Sequence, residues 1–456
     1  MSAKNSSQDL AHAGVPGLML NLAVPAVIAQ LINMLYNIVD RIYIGHIPKA
    51  GASALTGVGL FLPILMMINA FAMLAGSGGA PRAAIAMGKN DREGAQKILG
   101  NCFSVLLIFA AVLTIGFYIF APQLLRLFGA SDVTLPYALS YARIYILGTI
   151  FVMIVMGMNP FITTQGFARF SMVTTVMGAV CNIILDPILI FALHMGVRGA
   201  AIATVISQAV SAVWVLFFLR GKRTLLRLNM ADMKIVPKVM GPCLALGIST
   251  FVMLGTESIL NISFNSSLSR FGGDVAVGAM TIISSCSQLV TLPLQGICQG
   301  GQPVMSYNYG AGNKKRVKQA FGCQFVACTG YATLMWLLLM LVPRMFTGIF
   351  SSDASLADYT VWAMRIYMAG IFSTGVQISC QQTFMALGQA KISLLMACLR
   401  KLVLLIPLIF VLPHVFRNPV FGVFLAEPVS DILAASVTGS MLFLRLNGIL
   451  ERGTDA

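Results

Sequence analysis

The sequence predicts an all-α integral membrane protein of twelve transmembrane helices, arranged as two six-helix lobes related by a pseudo-two-fold axis along the membrane normal. Three observations carry this. The 456-residue chain is 58% hydrophobic and only 10% charged, against about 25% charged in a soluble globule. Residues 51–171 match residues 273–393 at a constant offset of 222 with no gap, which marks a duplicated unit. The basic residues cluster on one side of the predicted spans, as the positive-inside rule requires.

About 20 apolar residues at 1.5 Å rise each cross the hydrocarbon, and such runs recur along the whole chain. They lie near 17–45, 52–80, 95–120, 134–158, 167–194, 199–220, 241–270, 275–302, 317–342, 356–381, 390–413 and 419–446. Gly and Pro fall inside them, as membrane helices tolerate, and no alternating ten-residue pattern suggests a barrel. The first fourteen residues are polar and carry no cleavage site, so the first span reads as an uncleaved signal anchor.

The repeat is held through loops as well as helices. Gly78, Gly79 and Pro81 recur as Gly300, Gly301 and Pro303, and Gly88 recurs as Gly310. Arg143-Ile144-Tyr145 with Gly148 recurs as Arg365-Ile366-Tyr367 with Gly370, and Gly166-x-Ala168 as Gly388-x-Ala390. With the N-terminus inside, 19 of the 30 Lys and Arg fall in inner segments, Lys4 and Arg452 among them, and 6, including Lys49, in outer ones. The basic loops at 82–97 and 310–318 are repeat partners on the same side. Each unit therefore holds an even number of spans, and six plus six follows. Residues 1–220 are the expected N-lobe, 221–240 a cytoplasmic connector and 241–456 the C-lobe. Both termini are expected on the cytoplasmic side of the membrane.

The net charge of +15 is spent on membrane orientation and leaves no surplus for nucleic acid. Nine cysteines without CxxC spacing read as reduced structural thiols, and the four histidines lie at span ends or in the tail. Gly221-Lys222 lacks the glycine five residues earlier that a phosphate-cradling loop needs. No nucleophile–base constellation points to an enzyme, and no cofactor is expected.

Five carboxylates lie inside apolar runs: Asp40, Asp186, Glu257, Glu427 and Asp431. Each costs about 2.5–3.5 kcal/mol at a helix centre on insertion scales, so each is a functional candidate unless an interface or an arginine explains it. Arg41 and the nearby span end at His46 weigh against Asp40. The fifth span, CNIILDPILIF, places Asn182 and Asp186 on one helix face, and Pro187 removes a backbone donor where a bend is expected. Thr204, Asn159 and Tyr36 add a hydroxyl, an amide and a phenol. This all-oxygen set suits H+ or Na+. Asp40 falls on Ile262, and Asn182 and Asp186 fall on Leu404 and Leu408, at the repeat offset. The scaffold is duplicated but the acidic set is not, which argues for coupling rather than packing. Arg400 and Lys401 are expected to pair with Glu427 and Asp431 in the C-lobe.

At these residues the chain resembles the multidrug and toxic compound extrusion (MATE) family, in the branch nearer the DinF-like and MepA-like transporters. The resemblance rests on Val24-Pro25, the YNIVD segment ending at Asp40, the basic turns after spans two and eight, and N-x-x-x-D-P in span five. Thr204 and the RKLVLLIP run in span eleven complete it. It implies secondary active efflux of amphipathic, often cationic compounds by H+ or Na+ antiport. Asp40, Asn182, Asp186 and Thr204 then match the family's N-lobe cation residues, with Tyr36 and Asn159 nearby. Pro25 matches a first-helix proline implicated in bending. Tyr36 and Glu257 are the expected substrate contacts, and a monomer is expected. The alternative reading is a flippase or exporter of lipid-linked precursors or polysaccharide. Its pyrophosphate substrates need a cationic cleft, which the N-lobe carboxylates oppose.

Overall fold

The structure is a computed structural model that describes residues 10–47, 51–350 and 354–455. Lys4 and Lys49 lie outside the described residues, as does the side chain of Arg452.

The N-lobe is built from α1 (Val15–Gly45), α2 (Gly51–Gly88), α3 (Arg92–Leu127), α4 (Leu135–Leu147), α5 (Thr149–Thr164), α6 (Ala168–Pro187) and α7 (Val197–Arg220). A bend of 57° separates α4 from α5 at Gly148, and together they make one span. The C-lobe begins with α8 (Pro237–Gly310). At 1.5 Å per residue its 74 residues would reach about 110 Å, far more than a bilayer. Gly273 breaks it into two spans, with a φ of 66° and ψ of −164° that only glycine adopts readily. Then follow α9 (Lys314–Leu341), the short α10 (Pro343–Phe350), α11 (Ala354–Tyr367), α12 (Ile371–Ala386), α13 (Ala390–Cys398), α14 (Ile406–Val415) and α15 (Pro419–Asp455). α11 and α12 are joined by a tight turn at Met368–Gly370, and α13 and α14 by π-helical residues Leu399–Leu405.

Twelve spans in two lobes result, and the repeat has structural content. Gly148 and Gly370, partners at the repeat offset, both sit where a span is interrupted. Gly166 and Gly388, also partners, both turn with positive φ, 89° and 70°. α1 and α8 start 222 residues apart, at Val15 and Pro237. Spans two and eight run past the predicted ends at 80 and 302 to Gly88 and Gly310, because the apolar pattern stops before the helix does. Outward-facing positions such as Leu444, Leu127, Phe217 and Val326 are apolar and exposed, the surface that lipid tails cover.

The lobes meet near the end that carries the basic loops. A β-carbon on Gly88 would strike the Tyr307 carbonyl, and one on its partner Gly310 would strike the Ile85 carbonyl. Gly78 likewise abuts the Cys243 carbonyl at the start of α8, while its partner Gly300 abuts Ala23 of α1. Small residues let these backbones touch without a hydrophobic driving force between helices in lipid. Ser77 donates to Thr250 across the same seam at 2.9 Å.

Candidate functional site

The acidic set of the N-lobe assembles near the opposite end. Asp40 lies five residues before α1 ends, Asp186 is the penultimate residue of α6, and Thr204 is in the third turn of α7. Asp186 and Asn182 stand one helical turn apart on the same face of α6, and both are buried. The Asn182 amide donates to Asp186 Oδ1 at 3.3 Å and to Thr204 Oγ1 at 3.4 Å. Thr204 is tied by its own hydroxyl to the Ala200 carbonyl at 3.0 Å. Asp40 and Asp186 are near enough for the charge of each to act on the other. Pro187 cannot donate to the turn before it, and the chain loosens into π-helical residues Ile188–Ala192 immediately after the carboxylate.

Five of the predicted residues thus come together: Asp40, Asn182, Asp186, Thr204 and Tyr36. Tyr36 lies close to Asp40 and Thr204. Two more groups, Tyr141 and Tyr145 of α4, join the cluster. Tyr141 lies close to Thr204 and Tyr36, and Tyr145 close to Asp40. Phe61 holds both rings from α2 in edge-on contacts at centroid distances of 5.5 and 5.1 Å, and the two tyrosines stack at 5.9 Å. Tyrosines in an apolar helix read as core, and Tyr141 carries no mark that separates it from packing. Tyr145 lies in the repeated Arg-Ile-Tyr segment, beside the Gly148 break that aims α4 at the site.

One residue expected in this set lies elsewhere, and the expected conformational proline is distant from it. Asn159 does not join the site: its amide donates to the Ser171 carbonyl at 3.4 Å. That carbonyl is 15 residues before Asp186, about 22 Å along α6 at 1.5 Å per residue. Span identity placed the amide in the lobe but gave no depth. Pro25 is likewise 15 residues from Asp40 along α1. It is buried at the lobe seam between Ala23 and Val27, which touch Gly300 and Gly296. The α1 helix continues through Pro25 without a break.

The electrostatics of the N-lobe site are one-sided. Asp40 Oδ1, Asp186 Oδ2 and Asn182 Oδ1 are buried and accept no hydrogen bond. Among the described residues, no lysine or arginine forms an ion pair with either carboxylate. Buried acceptors without donors are costly, and oxygen acceptors of this kind are the type that a proton or a small hard cation satisfies.

The C-lobe carboxylates are treated differently. Arg400 lies 3.1 Å from Glu427 and 2.7 Å from Asp431, and Thr374 donates to the other oxygen of Asp431 at 3.4 Å. Lys401 pairs with Glu257 and donates to the Met253 carbonyl at 2.8 Å. Glu257 is about half exposed beside Lys401. A cavity of about 20 Å³, room for one water, is bounded by Tyr367, Thr374, Arg400, Glu427 and Asp431.

The MatE family profile matches residues 25–188 and 249–411, one stretch in each lobe. The chain belongs to the MatE family. The multidrug export protein MepA of Staphylococcus haemolyticus is 25% identical over 425 residues, 93% of each chain. That of Staphylococcus saprophyticus is 24% identical over 420 residues, covering 91% of this chain and 92% of its own. Among solved structures, a MATE protein in its bent conformation matches with a TM-score of 0.91 at 24% identity, over 98% of this chain and 99% of that one. A MOP superfamily transporter from Pyrococcus furiosus matches at 0.90 and 24% identity, over 97% and 98%. These structural matches establish the fold of this MatE protein: twelve membrane helices in two lobes.

Proposed function

We propose that this MatE protein exports amphipathic, often cationic compounds across a bacterial inner membrane in exchange for inward H+ or Na+, with the coupling ion bound in the N-lobe. The observation that carries the reading is the Asp40–Asp186 pair, buried together with unpartnered oxygens and, among the described residues, no ion pair to a lysine or arginine. The names of the MepA relatives support multidrug export as the activity.

Alternating access supplies the mechanism, with residues 1–220 and 241–456 rocking about the connector and the basic-loop end facing the cytoplasm. Closure at the seam of Gly78, Gly88, Gly300 and Gly310 corresponds to a state sealed from the cytoplasm. A proton or Na+ entering from the outer end meets Asp40 and Asp186 first, since both lie near that end. Neutralising them removes the repulsion between the two carboxylates and lets α1, α6 and α7 repack. An ion can shift only an equilibrium between states that it binds unequally, and a site at the junction of three helices is placed to distinguish two packings. The driving force is adequate: one charge crossing 100 mV is worth about 2.3 kcal/mol, and a tenfold concentration ratio costs about 1.4 kcal/mol.

Proteoliposomes test this with an imposed pH gradient, with and without sodium, and ethidium as the lipophilic cation. Gradient collapse on ethidium addition that disappears in Asp40→Asn supports drug–proton antiport. Ethidium transport that needs sodium instead assigns the ion as Na+. Folded protein that moves no cation under any condition refutes the reading and favours lipid-linked substrates.

A further inference from the structure

The segments that lead into the first helix of each lobe are hydrogen-bonded by side chains of the opposite lobe. Leu10 through Gly14 precede α1, yet they dock on the C-lobe. The Leu10 side chain is 1% exposed and belongs to an apolar cluster with Val304, Val317, Phe321 and Leu446. Its carbonyl accepts from Asn308 Nδ2 at 3.0 Å and from Arg316 Nη2 at 3.2 Å. Arg316 also donates to the Ala13 carbonyl at 2.8 Å and, through Nε, to Asn308 Oδ1 at 3.1 Å. A guanidinium therefore clamps two chain carbonyls while a buried leucine anchors the same segment.

The other lead-in does the reverse. Asp232 through Val236 precede α8 and dock on α3 of the N-lobe. Asn101 accepts from the Val236 amide at 2.6 Å and donates to the Asp232 carbonyl at 3.2 Å, and Ser104 donates to the Met233 carbonyl at 2.6 Å. Leu10 and Asp232 are 222 residues apart, as are the helix starts at Val15 and Pro237. The two docks are partners in the repeat, each crossing to the opposite lobe at the basic-loop end. Their chemistry differs: the C-lobe dock uses a charge, the N-lobe dock an amide and a hydroxyl.

We infer that the two crossed lead-in segments are latches holding the basic-loop face shut, and that the Leu10–Gly14 segment must leave its Arg316–Asn308 dock for that face to open. Only Gly14 stands between the clamped Ala13 carbonyl and Val15, where α1 begins. One residue spans at most about 3.6 Å, too little to let α1 swing away with its lobe while Ala13 stays bound. Separation of the lobes therefore breaks the dock or unwinds the start of α1. Charge-assisted hydrogen bonds to Arg316 are the stronger kind, so the C-lobe latch is the one whose release gates opening.

The inference rests on the alternating-access reading, and its test separates the two. Spin labels at Lys89→Cys, in the turn after α2, and Lys315→Cys, in the first turn of α9, both exposed, report the width of the basic-loop face in full-length protein in nanodiscs, with the nine native cysteines replaced. Wild type should show a dominant short distance. Arg316→Ala and Leu10→Asp should each raise the ratio of long to short distances about tenfold or more, equivalent to about 1.4 kcal/mol. Arg316→Lys, which keeps the charge but loses the fork, should fall between. Lys318→Ala, an exposed neighbour, should change nothing. Should Leu10→Asp fail to fold, Arg316→Ala and Arg316→Lys suffice. Unchanged distributions in folded Arg316 variants, with ethidium transport intact in wild type, would overturn the latch. A widened face in the variants with no transport by wild type would leave the latch standing and remove the transporter reading instead.

Discussion

Arg400→Leu isolates the role of the C-lobe charges. In the folded protein two cations, Arg400 and Lys401, meet three carboxylates, Glu257, Glu427 and Asp431. Removing Arg400 takes from Glu427 and Asp431 the ion-pair partner they share, in a site where their side chains are only 12% and 7% exposed. It deletes contacts of 2.7, 2.8 and 3.1 Å. Breaking a buried pair from one side costs about 3–5 kcal/mol, because the charge left behind stays desolvated. Two such carboxylates place the loss at the upper end of that range. Neutralising all three positions together, as Arg400→Leu, Glu427→Gln and Asp431→Asn, removes the stranded charge and should recover most of it. The assay is thermal unfolding in detergent, read by tryptophan fluorescence and by the monodisperse fraction after heating. The single variant should melt well below wild type and the triple variant close to it. A single variant as stable as wild type would refute the idea that Arg400 is a structural counter-ion. A triple variant as unstable as the single one would refute the charge argument.

Smaller perturbations follow from the same geometry. Tyr141→Phe removes one hydroxyl from beside Thr204 while keeping its ring contacts, and should weaken coupled transport several-fold at unchanged stability, read as initial rate against ion concentration. Asn159→Ala should leave ion dependence at the wild-type value, because the amide bonds to Ser171 far from the carboxylates. Gly310→Ala forces a methyl into the Ile85 backbone at the lobe seam. Overpacking of this kind costs about 1–3 kcal/mol, borne only by the closed seam, so the spin-label distances should lengthen.

Much of the architecture was legible because duplication leaves a register. A fixed offset of 222 residues, the side of the basic loops and the lengths of the apolar runs sufficed for six plus six. The acidic set was legible for a related reason: Asp40, Asn182 and Asp186 break the repeat, and charge inside an apolar run has few structural excuses. Depth was not legible. Asn159 lies on the expected helix but far along it from the carboxylates, because a span reads as a run of apolar residues with no internal ruler. Tyr141 was hidden by its own amphipathic character, since an aromatic ring on a buried helix face needs no ligand to explain it. The lead-in segments were hidden by their brevity. Leu10 is a lone leucine among small and polar residues, and only its placement against Arg316 and Asn308 shows that it is buried. The partner of Glu257 was not legible: Lys401 is 144 residues away in sequence, and no local pattern links them.

The central claim is that the paired N-lobe carboxylates couple ion entry to export. Its most direct measurement is ion-driven ethidium transport in proteoliposomes of wild type and of the Asp40→Asn, Asp186→Asn double variant, with folding verified by monodispersity. The account predicts that the double variant still binds ethidium but transports none against a gradient, whatever ion is supplied. Retained, ion-coupled uphill transport in that variant would contradict it.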